Sequence, residues 1–236
     1  MSNIRQKRLG ILGGMGPLAS AEFLKTIYQY NSPLKSEQDT PQVILYSDPS
    51  FPDRTEVILR GDDHILRQRL IEALDQLSQL NVSKIVICCI TSHYLLPYLP
   101  LQLKQRTINL IDVILNAVIE NPQKFLLICT KGTIKMQVFQ NHPLWDQLQD
   151  YICLPNSQDQ ELVQKLIYGI KQKGDLFPYQ DIIEYLQSAY QINNLIAGCT
   201  EIHLLNKIYN FKRSNSMNNI FLDPLTVIAK NIYEYL

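Results

Sequence analysis

Cys89 and Cys199 are the residues of this 236-residue chain whose setting suggests chemistry. Cys89-Ile90-Thr91-Ser92-His93 and Cys199-Thr200-Glu201-Ile202-His203 each follow an apolar run, and each carries a histidine four residues beyond the cysteine. A thiol where a buried strand ends and a helix starts meets unpaired backbone N–H groups and a partial positive charge. Those features lower a thiol pKa and favour the thiolate. Two such thiols on opposite sides of one carbon can move a proton from one face to the other. One acts as thiolate and the other as thiol, and the reverse reaction exchanges the roles.

The other cysteines fit structural roles. Neighbouring strand residues face opposite ways, so Cys88 is expected to point away from Cys89. Cys129 and Cys153 are also expected to be structural. An odd cysteine count on a long chain does not suggest a disulfide framework, and no Cys-x-x-Cys pair of the usual zinc spacing is present. The two Cys-x-x-x-His pairs could together make a four-ligand zinc site. Zinc on the sulfurs would block their acid/base chemistry, so no metal is expected. His93 and His203 are expected to pack or cap locally.

The elements around these residues alternate between strand and helix patterns. An apolar strand, the glycine turn Gly13-Gly14-Met15-Gly16 and a helix from Pro17 open the chain. Gln42–Ser47 reads as a second strand, 63–79 as a helix, 84–89 as a buried strand, "TINLID" (107–112) as a strand and 113–120 as a helix. The second half repeats the order: "KFLLIC" and "YICLP" as strands, a helix ending at a Gly174 cap, a helix over "DIIEYLQSAYQI", "NNLIAG" as strand, and a final strand, turn and helix. Alternation of this kind predicts α/β architecture with a parallel sheet and flanking helices.

Three landmarks recur between the halves. Leu12–Gly16 matches Ile128–Gly132 at an offset of 116, Cys89–His93 matches Cys199–His203 at 110, and Leu110–Asp112 matches Phe221–Asp223 at 111. The expectation is two pseudo-symmetric α/β domains, 1–108 with 215–236 and 109–214, with a site in the cleft between them. Ligands of open α/β sheets bind beyond the carboxyl ends of the strands. The Gly13–Gly16 turn lacks the third glycine of a dinucleotide fingerprint and the lysine of a phosphate loop. Its backbone N–H groups at Met15 and Gly16 suit a carboxylate instead, and Thr130 and Thr133 occupy the matching turn of the second half. Asp223 is expected as a turn or helix cap.

"GILGGMGPLAS", "PDRTE", the Cys-x-Thr-x-His turn and "GCTE" resemble the aspartate/glutamate racemase family, in that family's order and over nearly the whole chain. The resemblance implies a cofactor-independent amino-acid racemase, most like aspartate racemase, with Cys89 and Cys199 as the two acid/bases. It implies that Arg54, in the 51–56 loop, binds a substrate carboxylate through its planar fork. Lys171 is then a second contact to an acidic side chain. Ile90, Thr91, Thr200 and Glu201 complete the expected substrate-binding set, the threonines and helix-start N–H groups stabilising the enediolate. The family's first motif normally reads Cys-Asn-Thr; here Ile90 replaces the asparagine and removes a side-chain amide from the site. Glutamate or a broader set of substrates, a single-cysteine isomerase or decarboxylase, and a catalytically dead binding module are the alternatives.

Composition narrows the partners. Lysine plus arginine and aspartate plus glutamate each total 22, so there is no basic excess for nucleic acid. The hydrophobic fraction of 46% and charged fraction of 19% fit a chain with a sizeable core. No apolar run approaches the roughly 20 residues of a membrane span, and no secretory leader is expected. A cytoplasmic protein without cofactor, taking a small amino-acid substrate and pairing as a homodimer, is the expectation.

Overall fold

The computed structural model describes residues 7–31, 36–173, 179–212 and 220–236. The expected Gly174 cap lies outside them. Two four-stranded parallel sheets form the frame. The first has the order β2-β1-β3-β4 and the second β6-β5-β7-β8. The strands are β1 (Arg8–Gly13), β2 (Gln42–Ser47), β3 (Lys84–Ile87), β4 (Thr107–Ile108), β5 (Phe125–Cys129), β6 (Ile152–Cys153), β7 (Asn194–Gly198) and β8 (Phe221–Leu222). The two orders are the same, so β1 answers to β5 and β3 to β7. Leu9, Ile11 and Leu12 of β1 and all of β5 are buried, as central strands covered on both faces require.

Strand register tests the repeat independently of sequence. Gly10 lies beside Ile85 in the first sheet, and Leu126 beside Leu195 in the second. Those pairs reproduce the offsets of 116 and 110. The third landmark shifts by three residues. Ile85 faces Thr107 and Leu195 faces Phe221, so Asp223 answers to Asn109, not Asp112. The strand expected over 107–112 stops at Ile108 for the same reason. Asn109 caps the next helix, accepting from the Ile111 N–H at 3.0 Å, and α5 (Leu110–Glu120) begins there.

Helices α1 (Pro17–Tyr30), α2 (Arg54–Arg60), α3 (His64–Gln79) and α4 (Leu101–Arg106) join α5 around the first sheet. Helices α6 (Lys131–Lys135), α7 (Trp145–Leu148), α8 (Ser157–Lys173), α9 (Tyr179–Tyr190) and α10 (Ile202–Lys212) belong to the second half of the chain. β8 pairs with β7, but α11 (Pro224–Lys230) packs back on α1 and α5. Leu225, Ile228 and Ala229 thus enter the core that holds β1 and β3, and Ile232 of α12 (Ile232–Tyr235) follows them. A second core gathers α8, α9 and the outward side of β5 and β7. Among the described residues no helix is long and apolar enough to cross a membrane.

Candidate active site

The site forms where the carboxyl ends of the two sheets meet. After β1 the chain turns at Gly14, whose φ of +90° suits glycine; a Cβ there would lie 2.2 Å from the Asp48 backbone. Gly16 caps α1, followed by Pro17 at the first helical position. A Cβ on Gly16 would meet Oε1 of Glu201 at 2.2 Å. Only a residue without a side chain lets this turn and the Cys199–Glu201 turn approach so closely.

Arg54 opens α2 rather than lying in a solvated loop. Asp53 caps the helix by accepting from the Glu56 N–H at 3.0 Å. The Arg54 guanidinium is buried; it donates to Met15 O at 2.8 Å and to Pro52 O at 3.0 Å. Burial alone would lower its pKa, but the Cys89 sulfur, Asp53 and Glu201 reverse that and raise it. Its Nε is buried without a hydrogen-bonding partner. Glu201 Oε1 is likewise buried and unpaired. An unpaired donor and an unpaired acceptor thus stand in one site, and each is costly until a ligand satisfies it.

The two thiols have opposite surroundings. Each is 5% exposed. Cys89 lies against the Arg54 cation. Cys199 donates to Glu201 Oε2 at 2.8 Å. Burial, then the Glu201 carboxylate, pushes its pKa well above the ordinary thiol value. The pKa depression expected from a helix start therefore fails at Cys199: desolvation and a neighbouring anion outweigh the helix dipole. Cys199 is a thiol in this arrangement. Cys88 and Cys129 are fully enclosed and raised by burial.

Lys171, late in α8, reaches the same place from the second half. Its Nζ lies 3.8 Å from Asp53 Oδ2 and 4.7 Å from the Tyr168 ring centre. Burial would lower its pKa, but Glu201, Cys199 and Asp53 hold it raised. Tyr168, one turn earlier on α8, donates to Asp53 Oδ1 at 2.8 Å. A cavity of about 220 Å³ opens here, bordered by Met15, Gly16, Phe51, Arg54, Lys171 and Glu201.

Three buried hydroxyls cluster around Thr91, two residues after Cys89. Thr91 approaches Thr130 at 2.9 Å and Thr133 at 3.0 Å, and the last two are 3.1 Å apart. Thr200 crosses between the halves and donates to Cys88 O at 3.2 Å. That proton is therefore committed to a carbonyl. Ile90 is 1% exposed and packs in the core. His93 interacts with Cys89 O at 2.9 Å, and its Nε2 accepts from the Leu110 N–H at 3.1 Å. Its ring nitrogens are thus engaged with backbone. Among the described residues no group of three potential metal ligands forms.

Met15, Gly16, Arg54, Lys171 and Glu201 border one cavity along the seam, with Cys89 against Arg54, Cys199 bonded to Glu201, and Thr91, two residues after Cys89, in the threonine cluster. Sequence reasoning passed over Asp53 and Tyr168. Their signals were the Asp53-x-x-Glu56 start of a helix and the three-residue spacing from Tyr168 to Lys171.

Known proteins share this frame. The chain is 24% identical to aspartate racemase of Picrophilus torridus, with a TM-score of 0.76 over 97% of this chain and 98% of the other. It is 22% identical to glutamate racemase of Campylobacter jejuni, with a TM-score of 0.57 over 97% and 84%. It is 23% identical to the broad specificity amino-acid racemase RacX of Bacillus subtilis over 83% of this chain and 86% of the other. Residues 12–229, which run from the end of β1 to α11 and enclose every group of the seam, match a single family, and the chain belongs to it: the Asp/Glu/Hydantoin racemases.

Proposed function

We propose that the chain interconverts the enantiomers of an acidic amino acid, aspartate foremost, without pyridoxal phosphate. Cys89 and Cys199 are its two acid/bases. The observation that carries this reading is the unequal pair of thiols. Arg54 stands beside Cys89, while Glu201 accepts the proton of a Cys199 thiol. A thiolate Cys89 takes the α-proton, and the C–H electron pair passes into the enediolate. Cys199 then gives its proton to the opposite face and becomes the thiolate. The reverse reaction runs the transfers backwards.

The α-carbon of an amino acid is a weak acid, so the enediolate needs fixed donors. The Thr91–Thr130–Thr133 cluster supplies them when a hydroxyl turns from its neighbour to the substrate. Arg54 Nε and Lys171 serve the carboxylates, and Glu201 Oε1 is an acceptor for the substrate's ammonium group.

Ile90 favours a second reading within the same chemistry. Ile90 itself packs in the core, so the site lacks the amide that the family has at this position and with it one fixed partner for an acidic substrate. Circular dichroism on a panel of L-amino acids without added cofactor separates the two. Activity on aspartate alone supports the first, and comparable activity on neutral residues supports the second. Solvent-deuterium incorporation at the α-carbon is the control for chemistry. Absence of both inversion and exchange for every member of the panel overturns the enzyme reading and leaves a binding module.

A further inference from the structure

Behind Cys199 lies a buried polar cluster that the proposed chemistry does not use. His203 is 0% exposed and Asp223 2%. His203 Nδ1 is 2.6 Å from Asp223 Oδ2. That carboxylate also accepts from Thr226 Oγ1 at 2.6 Å, from Asn206 Nδ2 at 3.0 Å, and through Oδ1 from the Leu225 N–H at 3.0 Å. On its other side, His203 Nε2 is 2.9 Å from Thr26 Oγ1 of α1. Thr26 donates its own hydroxyl proton to Glu22 O at 2.8 Å. Asp223 can only accept, so Nδ1 donates to it, and Thr26 Oγ1 partners Nε2 while reaching Glu22 O. The ring is engaged through both nitrogens, with α1 on one side and the start of α11 on the other.

The location gives this cluster a purpose. The Ile202, His203 and Leu204 N–H groups donate to Cys199 O, Thr200 O and Glu201 O. The turn that bears the Cys199 thiol is therefore tied directly to the His203 backbone. Helix α10 meets α1 at two levels. At the site, Gly16 abuts Glu201. Ten residues further along α1, roughly 15 Å at the rise of an α-helix, Thr26 meets His203. The second contact fixes the setting of α10 against α1, and hence that of Cys199 against the first half. We propose that His203, clamped between Asp223 and Thr26, is a positioning residue that sets where the Cys199 thiol stands relative to the first half of the site.

The proposal rests on the reading of Cys199 as a reacting thiol, and its test separates the two. In His203→Ala, kcat should fall roughly 10–100-fold, as expected when a reacting group shifts by about an ångström. KM should change less than kcat, because Arg54 and Lys171, which serve the carboxylates, stand on α2 and α8, and only Glu201 shares the Cys199 turn. His203→Gln, which keeps a donor for Asp223, should recover part of kcat. Asp223→Asn keeps the cap of α11 and should lower kcat in the same way. Iodoacetamide labelling followed by mass spectrometry is the readout that needs no turnover. Cys199 should change its labelling rate several-fold in these variants while Cys89 does not. A folded His203→Ala with wild-type kcat, or with both cysteines changed equally, overturns the proposal. If the wild type racemises nothing on the panel, the enzymatic reading fails, while a change confined to Cys199 still supports the clamp.

Discussion

At the scale of single residues, two thiols of one chemical type are made unequal by one neighbour each. Arg54 stands at Cys89 and Glu201 at Cys199. Cys89→Ala and Cys199→Ala should each lower racemisation by at least about three decades, since neither thiol can do both transfers. Circular dichroism at 25 °C measures this, and a near-wild-type rate in either variant would refute the two-base mechanism. Arg54→Lys should cost about one to two decades in kcat/KM for acidic substrates, the loss of a charge-assisted contact of roughly 1.5–3 kcal/mol. A single ammonium cannot serve Met15 O and Pro52 O and still present an Nε donor to the ligand. Unchanged kinetics in that variant would remove Arg54 from substrate recognition.

At the scale of elements, the helix starts do double work. Asp53 caps α2 through one oxygen and faces Lys171 with the other. Its pKa stays below the usual carboxylate range: burial works against this, but the Glu56 N–H, Lys171 and Tyr168 prevail. The two tasks separate by substitution. Asp53→Ala should lose the cap and cost about 1 kcal/mol of stability in urea titration. Asp53→Asn should hold most of that stability, because asparagine caps equally well. It should nevertheless lower kcat/KM, because Lys171 and Tyr168 lose their anionic partner. Equal kinetics for Asp53→Asn and the wild type would mean that the Asp53–Lys171 pair is ornamental.

For the whole molecule, buried titratable groups tie stability to pH. His93 is fully enclosed, and desolvation lowers its pKa from 6.5 to about 4 although Cys89 O favours the charged form. The unfolded chain therefore takes up a proton first as pH falls. The stability linked to the neutral ring is complete above pH 6.5 and is lost progressively as pH falls towards 4. Between pH 7 and pH 5 the loss should be about 2 kcal/mol. Urea titrations at the two pH values measure it, and a His93→Gln variant should flatten the difference by most of that amount. If wild type and variant fall alike, the ring is not held neutral. Asp223 acts in the same direction at lower pH. Its folded pKa lies well below the ordinary value, with burial opposed and outweighed by His203 and its other donors. Its contribution is present above about pH 4 and fades below it.

Local signals in the sequence were enough for the parallel α/β frame and the doubling. Buried parallel strands advertise themselves as apolar runs, and Gly14 and Pro17 mark the first turn and helix through backbone constraints that act within a few residues. The pairing of Cys89 with Cys199 was legible because both follow the same strand of a repeated unit. Residues 109–112 misled, because an apolar stretch reads alike as strand or helix until Asn109 is seen to cap α5. Tertiary structure alone decided the charge environment. Arg54 is buried against Cys89, Glu201 holds the Cys199 proton, and the His203–Asp223–Thr26 clamp joins positions 177 and 20 residues apart. Such effects depend on desolvation and on distances across the seam, which spacing along a chain does not encode. That is why a helix-start rule predicted a lowered pKa for Cys199, while burial beside a carboxylate raised it.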